Sequence, residues 1–304
     1  MRRLLLVVNP CAGQRAGVRS LGDILKVFSD SDVLTSVHFT KARGDATDFV
    51  REHASQYDIV TCIGGDGTFN ETVSGVIASG ADVPIGYIPA GSTNDFARSM
   101  HLSSNLLSAA RVVVAEDSVP VALDVGSFDE RIFTYVASFG AFTRSSYSTP
   151  QNVKNALGYI AYILEGIKDI PSIGKEHLLI ETDRDTVEGD YIFGAVSNST
   201  SLGGFLKLDD AIVDMSDGKL ELILIKAPSN AVELMYILHA LNTKKYNGDW
   251  ISLCSSERLT VHTERPMDWT LDGEHGRSEG DLTIRNRHHA IRLISPKSEE
   301  TPEN

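Results

Sequence analysis

Ile59-Val60-Thr61-Cys62-Ile63-Gly64-Gly65-Asp66-Gly67-Thr68 passes from a short apolar run into a glycine-rich loop. Ile59–Ile63 reads as a strand covered on both faces, and the stretch near 69–79 reads as a helix. In a strand–loop–helix unit, glycines let the backbone approach a phosphate, and the helix N-terminus offers N–H groups to the anion. Asp66 is out of place in a loop that only binds phosphate, because like charges repel. It fits a loop in which Mg²⁺ bridges carboxylate and phosphate. Gly64, Gly65, Gly67 and Thr68 are therefore candidate phosphate contacts. Thr68 and Glu71 also have the T-x-x-E spacing of a capping box, which a helix uses with or without a ligand.

Similar units lie on either side. Leu4–Val8, Val33–Phe39 and Pro84–Ile88 read as strands, with helices near 17–29, 45–55 and 103–116. This alternation predicts a doubly wound parallel sheet over residues 1–120. Three further loops follow its strands: Asn9–Gly17, Thr40–Ala46 and Pro89-Ala90-Gly91-Ser92-Thr93-Asn94-Asp95-Phe96-Ala97. The last places hydroxyls, an amide and a carboxylate at a helix entry, where capping alone would also use them. Loops at the C-terminal ends of neighbouring parallel strands form the crevice in which open α/β sheets bind ligands.

The pattern changes near Val121. Val121–Phe128 and Ile132–Phe139 read as a hairpin around Asp129-Glu130. Strand-like runs then dominate, at His177–Thr182, Gly189–Ser197, Lys219–Ala227, Arg258–His262, Met267–Leu271, Asp281–Asn286 and Ala290–Ile294. Helices interrupt them near 150–169 and 229–242. This predicts a second, mostly antiparallel β domain over 121–285, followed by a C-terminal segment, 286–304. The tail from Ser295 is polar and should fray. The helix near 150–169 carries an apolar stripe of Val153, Leu157, Ile160, Leu164 and Ile167, which reads first as core packing.

The chain has 304 residues, 42% hydrophobic and 23% charged, enough for two cores. Its formal charge of −13 argues against nucleic acid as a partner and against retention on anionic lipid by bulk charge. Arg285, Arg287, His288 and His289 form a local basic group, which also suits an exposed strand end. Cys11, Cys62 and Cys254 are far apart, with neither metal-ligand nor disulfide spacing, and a reducing cytoplasm fits them. The opening apolar run stops at Asn9-Pro10, too short for a signal or a membrane span.

The combination GGDGTFNE (64–71), PAGSTNDFA (89–97), Leu123-Asp124-Val125-Gly126, Gly203-Gly204-Phe205, Ala211–Leu220 and Leu271-Asp272-Gly273-Glu274 resembles the diacylglycerol kinase catalytic-domain family, which includes bacterial lipid kinases and the sphingosine kinases. The likeness runs over nearly the whole chain. It implies an N-terminal nucleotide domain like those of NAD kinases and phosphofructokinases, a C-terminal β-sandwich domain and an active site in the cleft. It also implies a last segment that returns to the first domain.

By the same resemblance, ATP and Mg²⁺ are the expected cofactors. Asn9, Thr40, Ser92, Thr93 and Asn94 join the glycine loop as nucleotide contacts, and Asp66, Asp95 and Asp124 hold Mg²⁺. Asp214, Asp217 and the carbonyl of Lys219 match a structural Mg²⁺ site. Two carboxylates three residues apart with a glycine turn suit a hard cation, although an ordinary D-G turn looks the same. Asp272 matches the general base and Glu274 a residue near nucleotide and metal, while a D-G-E tripeptide is by itself a hairpin turn. Lys154 matches a family lysine, and also reads as a solvated helix lysine. Gln14 and Arg15 stand where relatives often have a lysine.

The expected reaction is γ-phosphoryl transfer to a lipid hydroxyl, diacylglycerol by default, by a cytoplasmic protein that meets its lipid at the membrane surface reversibly; a homodimer stays open, because members of the family it resembles can dimerise. The rivals are an NAD kinase, which shares GGDGT, and a non-catalytic nucleotide-binding regulator. An ATPase assay with and without lipid separates all three.

Overall fold

The computed structural model describes residues 1–140, 174–202, 206–208, 212–246 and 248–296. The chain divides into two compact units, one of Met1–Leu123 with the residues from His289 onward, the other of Asp124–His288.

In the first unit β1 (Arg2–Val8), β2 (Val33–Phe39), β3 (Ile59–Gly64) and β4 (Ile85–Pro89) alternate with α1 (Ala16–Arg19), α2 (Leu21–Asp30), α3 (Asp45–His53), α4 (Asp66–Ser79), α5 (Asp95–Ser99) and α6 (Leu106–Val114). The helix expected near 103–116 is therefore confined to α6, with α5 a separate turn before it. All the strands pair in parallel, in the order β2-β1-β3-β4, and Leu293 of the C-terminal strand adds beside Ile85. The Leu4–Val8 run is fully buried, as a strand covered on both faces requires.

Successive side chains point to opposite faces, so each layer of helices receives alternate residues. On one face Leu4, Leu6, Val8 and Ile63 pack with Ile24 and Phe28 of α2 and Ala110 and Val113 of α6. On the other, Phe69 of α4 stacks on Tyr87 of β4 with ring centroids 4.5 Å apart. Helices α3 and α4 approach closely because Gly75 has no side chain: a Cβ there would lie 2.7 Å from that of Val50.

The second unit contains β5 (Val119–Phe128), β6 (Arg131–Phe133), β7 (Val136–Gly140), β8 (Glu176–Thr182), β9 (Thr186–Ser197), β10 (Ser201–Leu202), β11 (Leu206–Lys207), β12 (Leu220–Lys226), α7 (Ala231–Thr243), β13 (Ile251–Ser256), β14 (Arg258–His262), β15 (Met267–Leu271), β16 (Glu274–Ser278) and β17 (Leu282–Ser295). β5 enters it and β17 leaves it. The pairings β16-β15-β7-β9-β8-β14-β17 are antiparallel, and β12 lies between β9 and β13. Trp269, 1% exposed, anchors the core, with Phe139 and Phe128 edge-on at 4.9 and 5.3 Å.

Three sequence expectations change. Strands 281–286 and 290–294 are one strand, β17, with His289 at φ 49°. β13 and β16, which lack a strict apolar alternation, appear in addition. The strand expected over 132–139 is broken at Thr134-Tyr135, because a carboxylate takes the backbone N–H groups there. The helix near 150–169 with its apolar stripe, Lys154, Gly203-Gly204-Phe205, Ala211 and the tail from Lys297 lie outside the described residues.

Candidate active site

β1, β3 and β4 continue as loops that hydrogen-bond to each other. Asn9 N–H donates to the Ile63 carbonyl at 3.0 Å, and Ala90 N–H to the Gly64 carbonyl at 2.7 Å. The loops after β3 and β4 touch glycine to glycine: a Cβ on Gly91 would fall 2.5 Å from the Gly65 Cα. Gly13 is equally constrained, since its Cβ would lie 1.9 Å from the Ala90 carbonyl oxygen and its φ is +52°. Gln14 and Arg15 follow with φ 54° and 67°. Two successive non-glycine residues in the left-handed region store strain, a feature that concentrates at ligand sites.

Asp66 opens α4 and joins two of these loops. Its carboxylate accepts the backbone N–H of Asp95 at 3.1 Å and of Phe96 at 3.2 Å, and the Thr93 hydroxyl at 3.3 Å. Asp66 is 7% exposed and Asp95 3%. Asn9 and Asn94 work within the loops. Asn9 donates to the Thr68 hydroxyl at 3.0 Å and accepts the Cys11 N–H at 2.9 Å. Asn94 accepts the Gly91 N–H at 2.9 Å and donates to the Gly91 carbonyl at 3.0 Å.

A pocket of about 360 Å³ opens beside them, lined among others by Gly13, Gly91, Ser92, Thr93 and Asn94. Ser92 and Thr93 are exposed, Thr40 and Gly67 half-buried. The capping box does not form. Gly65 is the N-cap of α4, which leaves Thr68 inside the first turn. Glu71 instead accepts the Gly44 and Ala46 N–H groups at 2.8 and 3.3 Å, at the start of α3.

In the second unit Asp272 and Gly273, with φ 49° and 83°, form the two-residue turn between β15 and β16. Asp272 is nevertheless more than a turn residue. It is 6% exposed and accepts bonds from the N–H and hydroxyl of Thr134 at 2.6 and 2.8 Å and from the N–H groups of Tyr135 and Val136 at 3.0 Å. Burial pushes its carboxyl above the usual range, and these bonds only partly oppose that. Glu274 pairs with Arg131 at 3.0 Å.

Asp124 opens the second unit. It is fully buried in the second unit and holds the Asp214–Lys219 loop. It accepts the Gly218 N–H at 2.7 Å, the Asn286 amide at 3.1 Å and His288 Nδ1 at 3.0 Å. The same Asn286 amide donates to the Lys219 carbonyl at 2.9 Å. Asp214 accepts the N–H and hydroxyl of Ser216, and Asp217 the Lys219 N–H, so both turn the loop while staying exposed.

Thr134, Glu221, Asn286 and His288 carry no motif of their own. His288 is legible only as part of the basic group at Arg285, Arg287 and His289, and Glu221 as an acid inside the apolar run Leu220–Ile225.

A sequence model described as the diacylglycerol kinase catalytic domain matches residues 3–126. The chain is 31% identical to a diacylglycerol kinase of Bacillus subtilis, over 98% of this chain and 97% of that one. It is 30% identical to one of Staphylococcus epidermidis, over 100% of this chain and 96% of the relative. A crystal structure of a diacylglycerol kinase from Bacillus anthracis has the same fold, with a TM-score of 0.74 over 97% of each chain at 22% identity.

Proposed function

This chain belongs to the diacylglycerol kinase family, and on that footing we propose that it transfers the γ-phosphate of ATP to the hydroxyl of diacylglycerol, giving phosphatidic acid. That it is a lipid kinase follows from the family; the donor and the particular acceptor are the proposal. The observation that carries it is the junction of the two glycine loops by Asp66.

Phosphoryl transfer needs positioning and charge stabilisation more than covalent help. The Gly64–Thr68 turn and the Gly91–Asn94 turn are braced from within by Asn9 and Asn94, so their backbone is held ready for an anion. The first turn of α4 adds N–H groups that a helix start cannot satisfy itself. Thr40, Ser92 and Thr93 border this region as nucleotide contacts.

The donor set fits a divalent cation. Asp66 and Asp95 are two buried acids tied by a backbone hydrogen bond, an arrangement that like charge alone disfavours. Asp66 and Asp95 would hold Mg²⁺, whose charge would offset that of the phosphate oxygens. Asp214, Asp217 and the Lys219 carbonyl, with Asp124 bracing their loop, would hold a second, structural ion.

Asp272 takes the proton of the attacking hydroxyl. A carboxyl raised by burial is a better proton acceptor than an exposed one. The Thr134 hydroxyl can rotate away from Oδ2, which it shares with the Thr134 N–H, and so open a place for the proton there. No helix among the described residues is long and apolar enough to cross a membrane, which suits reversible contact with the lipid surface.

The test is incubation with labelled ATP, Mg²⁺ and mixed micelles containing diacylglycerol, monoacylglycerol, a sphingoid base or undecaprenol, with NAD as a soluble control. Labelled phosphatidic acid supports the proposal. Label in NAD alone, or in another lipid alone, overturns it.

A further inference from the structure

The turn that grips Asp272 is itself held from behind. The Val136 N–H donates to Asp272 Oδ1 at 3.0 Å, beside the Tyr135 N–H at the same distance. In return the Asp272 N–H donates to the Val136 carbonyl at 2.9 Å. The Val136 N–H and the Tyr135 carbonyl belong to one peptide group. That carbonyl accepts two bonds from the end of β9, from the Asn198 N–H at 3.0 Å and the Ser197 hydroxyl at 2.9 Å. A continuous line of hydrogen bonds thus runs from Ser197 through one peptide to the carboxylate.

The Asn198 bond is ordinary. β7 and β9 pair with Val136 opposite Ser197, and the Asn198 N–H extends that ladder by one step. It already satisfies the Tyr135 carbonyl, so the Ser197 hydroxyl is surplus to the sheet. The residues of β9 from Tyr191 onward are all buried, Ser197 fully. A buried hydroxyl costs stability unless it is bonded, and alanine would fill the place without that cost. The hydroxyl also reaches the Ser199 carbonyl at 3.0 Å, so its proton is shared between two carbonyls. Were the Ser199 contact its only role, its loss would be felt in stability and not in turnover.

Hydrogen bonds in a chain polarise one another, so a second bond to the Tyr135 carbonyl makes the Val136 N–H a stronger donor. It also fixes the plane of the peptide that aims that N–H. Turnover is sensitive to small misplacements of a reacting group.

We propose that Ser197 is a positioning residue for Asp272, its hydroxyl locking the Tyr135–Val136 peptide that orients the carboxylate toward the lipid hydroxyl. The proposal rests on the reading of Asp272 as the proton acceptor. Ser197 touches neither substrate; it acts through the turn.

The experiment is a double-mutant cycle on lipid phosphorylation in mixed micelles, with Ser197→Ala, Asp272→Asn and the double variant. Ser197→Ala should lower kcat by about 3- to 10-fold, the scale of one hydrogen bond, with KM for ATP and for lipid unchanged. In the Asp272→Asn background it should have no further effect, because groups that act as a unit are not additive. Ser197→Cys fills the same space with a weaker donor, and it should show the same loss as alanine if the bond and not a cavity is the cause. Ser256→Ala is the control for losing a buried hydroxyl in the same unit, since Ser256 bonds to Asp183 and to the Arg258 carbonyl. It should keep wild-type kcat.

Wild-type kcat in both Ser197 variants overturns the proposal. An equal fold-loss with and without the Asp272 carboxylate makes Ser197 a fold residue and also overturns it, as does a loss of the same size in Ser256→Ala. If Asp272→Asn itself turns over at the wild-type rate, the reading of the base has failed and the proposal falls with it.

Discussion

Asp66, the first residue of α4, accepts the backbone N–H of Asp95, the first residue of α5, at 3.1 Å. One carboxylate thereby sets the distance between two loops that follow neighbouring strands, and the same carboxylate is the proposed partner of Mg²⁺. Asp66→Ala should cut lipid phosphorylation by at least about 10²-fold, as expected when a group that positions charge in phosphoryl transfer is lost. Circular dichroism and initial rates in mixed micelles check this. Near-normal turnover in a folded variant would remove Asp66 from the site.

Asp272→Asn tests the proton acceptor, and the structure adds a second expected effect. Asn keeps the left-handed turn, since it tolerates positive φ. Its NH₂, however, must face N–H donors that the lost oxygen accepted. Turnover should fall by roughly 10²–10⁴-fold, and stability by about 1–3 kcal/mol, with ATP affinity little changed. Rates, melts and ATP calorimetry on one preparation separate the three. Wild-type turnover would reduce the DGE segment to a turn.

Asp124→Ala should act on the second unit rather than on nucleotide binding. It leaves the Gly218 N–H, the Asn286 amide and His288 without their shared acceptor. The expected loss is about 1 kcal/mol, as half-buried donors lose the acceptor they share, seen as a lower melting point with ATP affinity retained. Selective loss of ATP binding would instead place Asp124 beside Asp66.

The cysteines report on the first unit. Burial pushes the Cys62 thiol up to about 12, so at pH 8 it is protonated as well as inaccessible. Cys11 is exposed, in the loop after β1. A thiol reagent at pH 8 should modify Cys11 and leave Cys62 until denaturant is added, and saturating ATP with Mg²⁺ should slow the Cys11 reaction. Rapid modification of Cys62 in native protein, or no effect of ATP on Cys11, would contradict this placement.

The first unit was legible because its signals are local. Leu4–Val8 and Val33–Phe39 are strands because of their own apolar residues, and a glycine loop shows itself wherever backbone must come close. The second unit was harder. β13 and β16 have no strict alternation, and the break at Thr134-Tyr135 is caused by Asp272, which lies over a hundred residues away along the chain. Thr68 and Glu71 show how a local reading can miss: their spacing matches a capping box, yet Glu71 finds its donors on α3.

By itself the sequence determined the doubly wound half, the order of the phosphate-type loops, the D-G turns and the family, because each depends on residues adjacent in the chain. Only the tertiary structure decided which carboxylate serves which loop: Asp66 braces Asp95, Asp124 holds Gly218, and Asp272 takes the N–H groups of Thr134 and Tyr135. A carboxylate's role is set by the donors and charges around it, and those come from segments that meet only when the chain has folded.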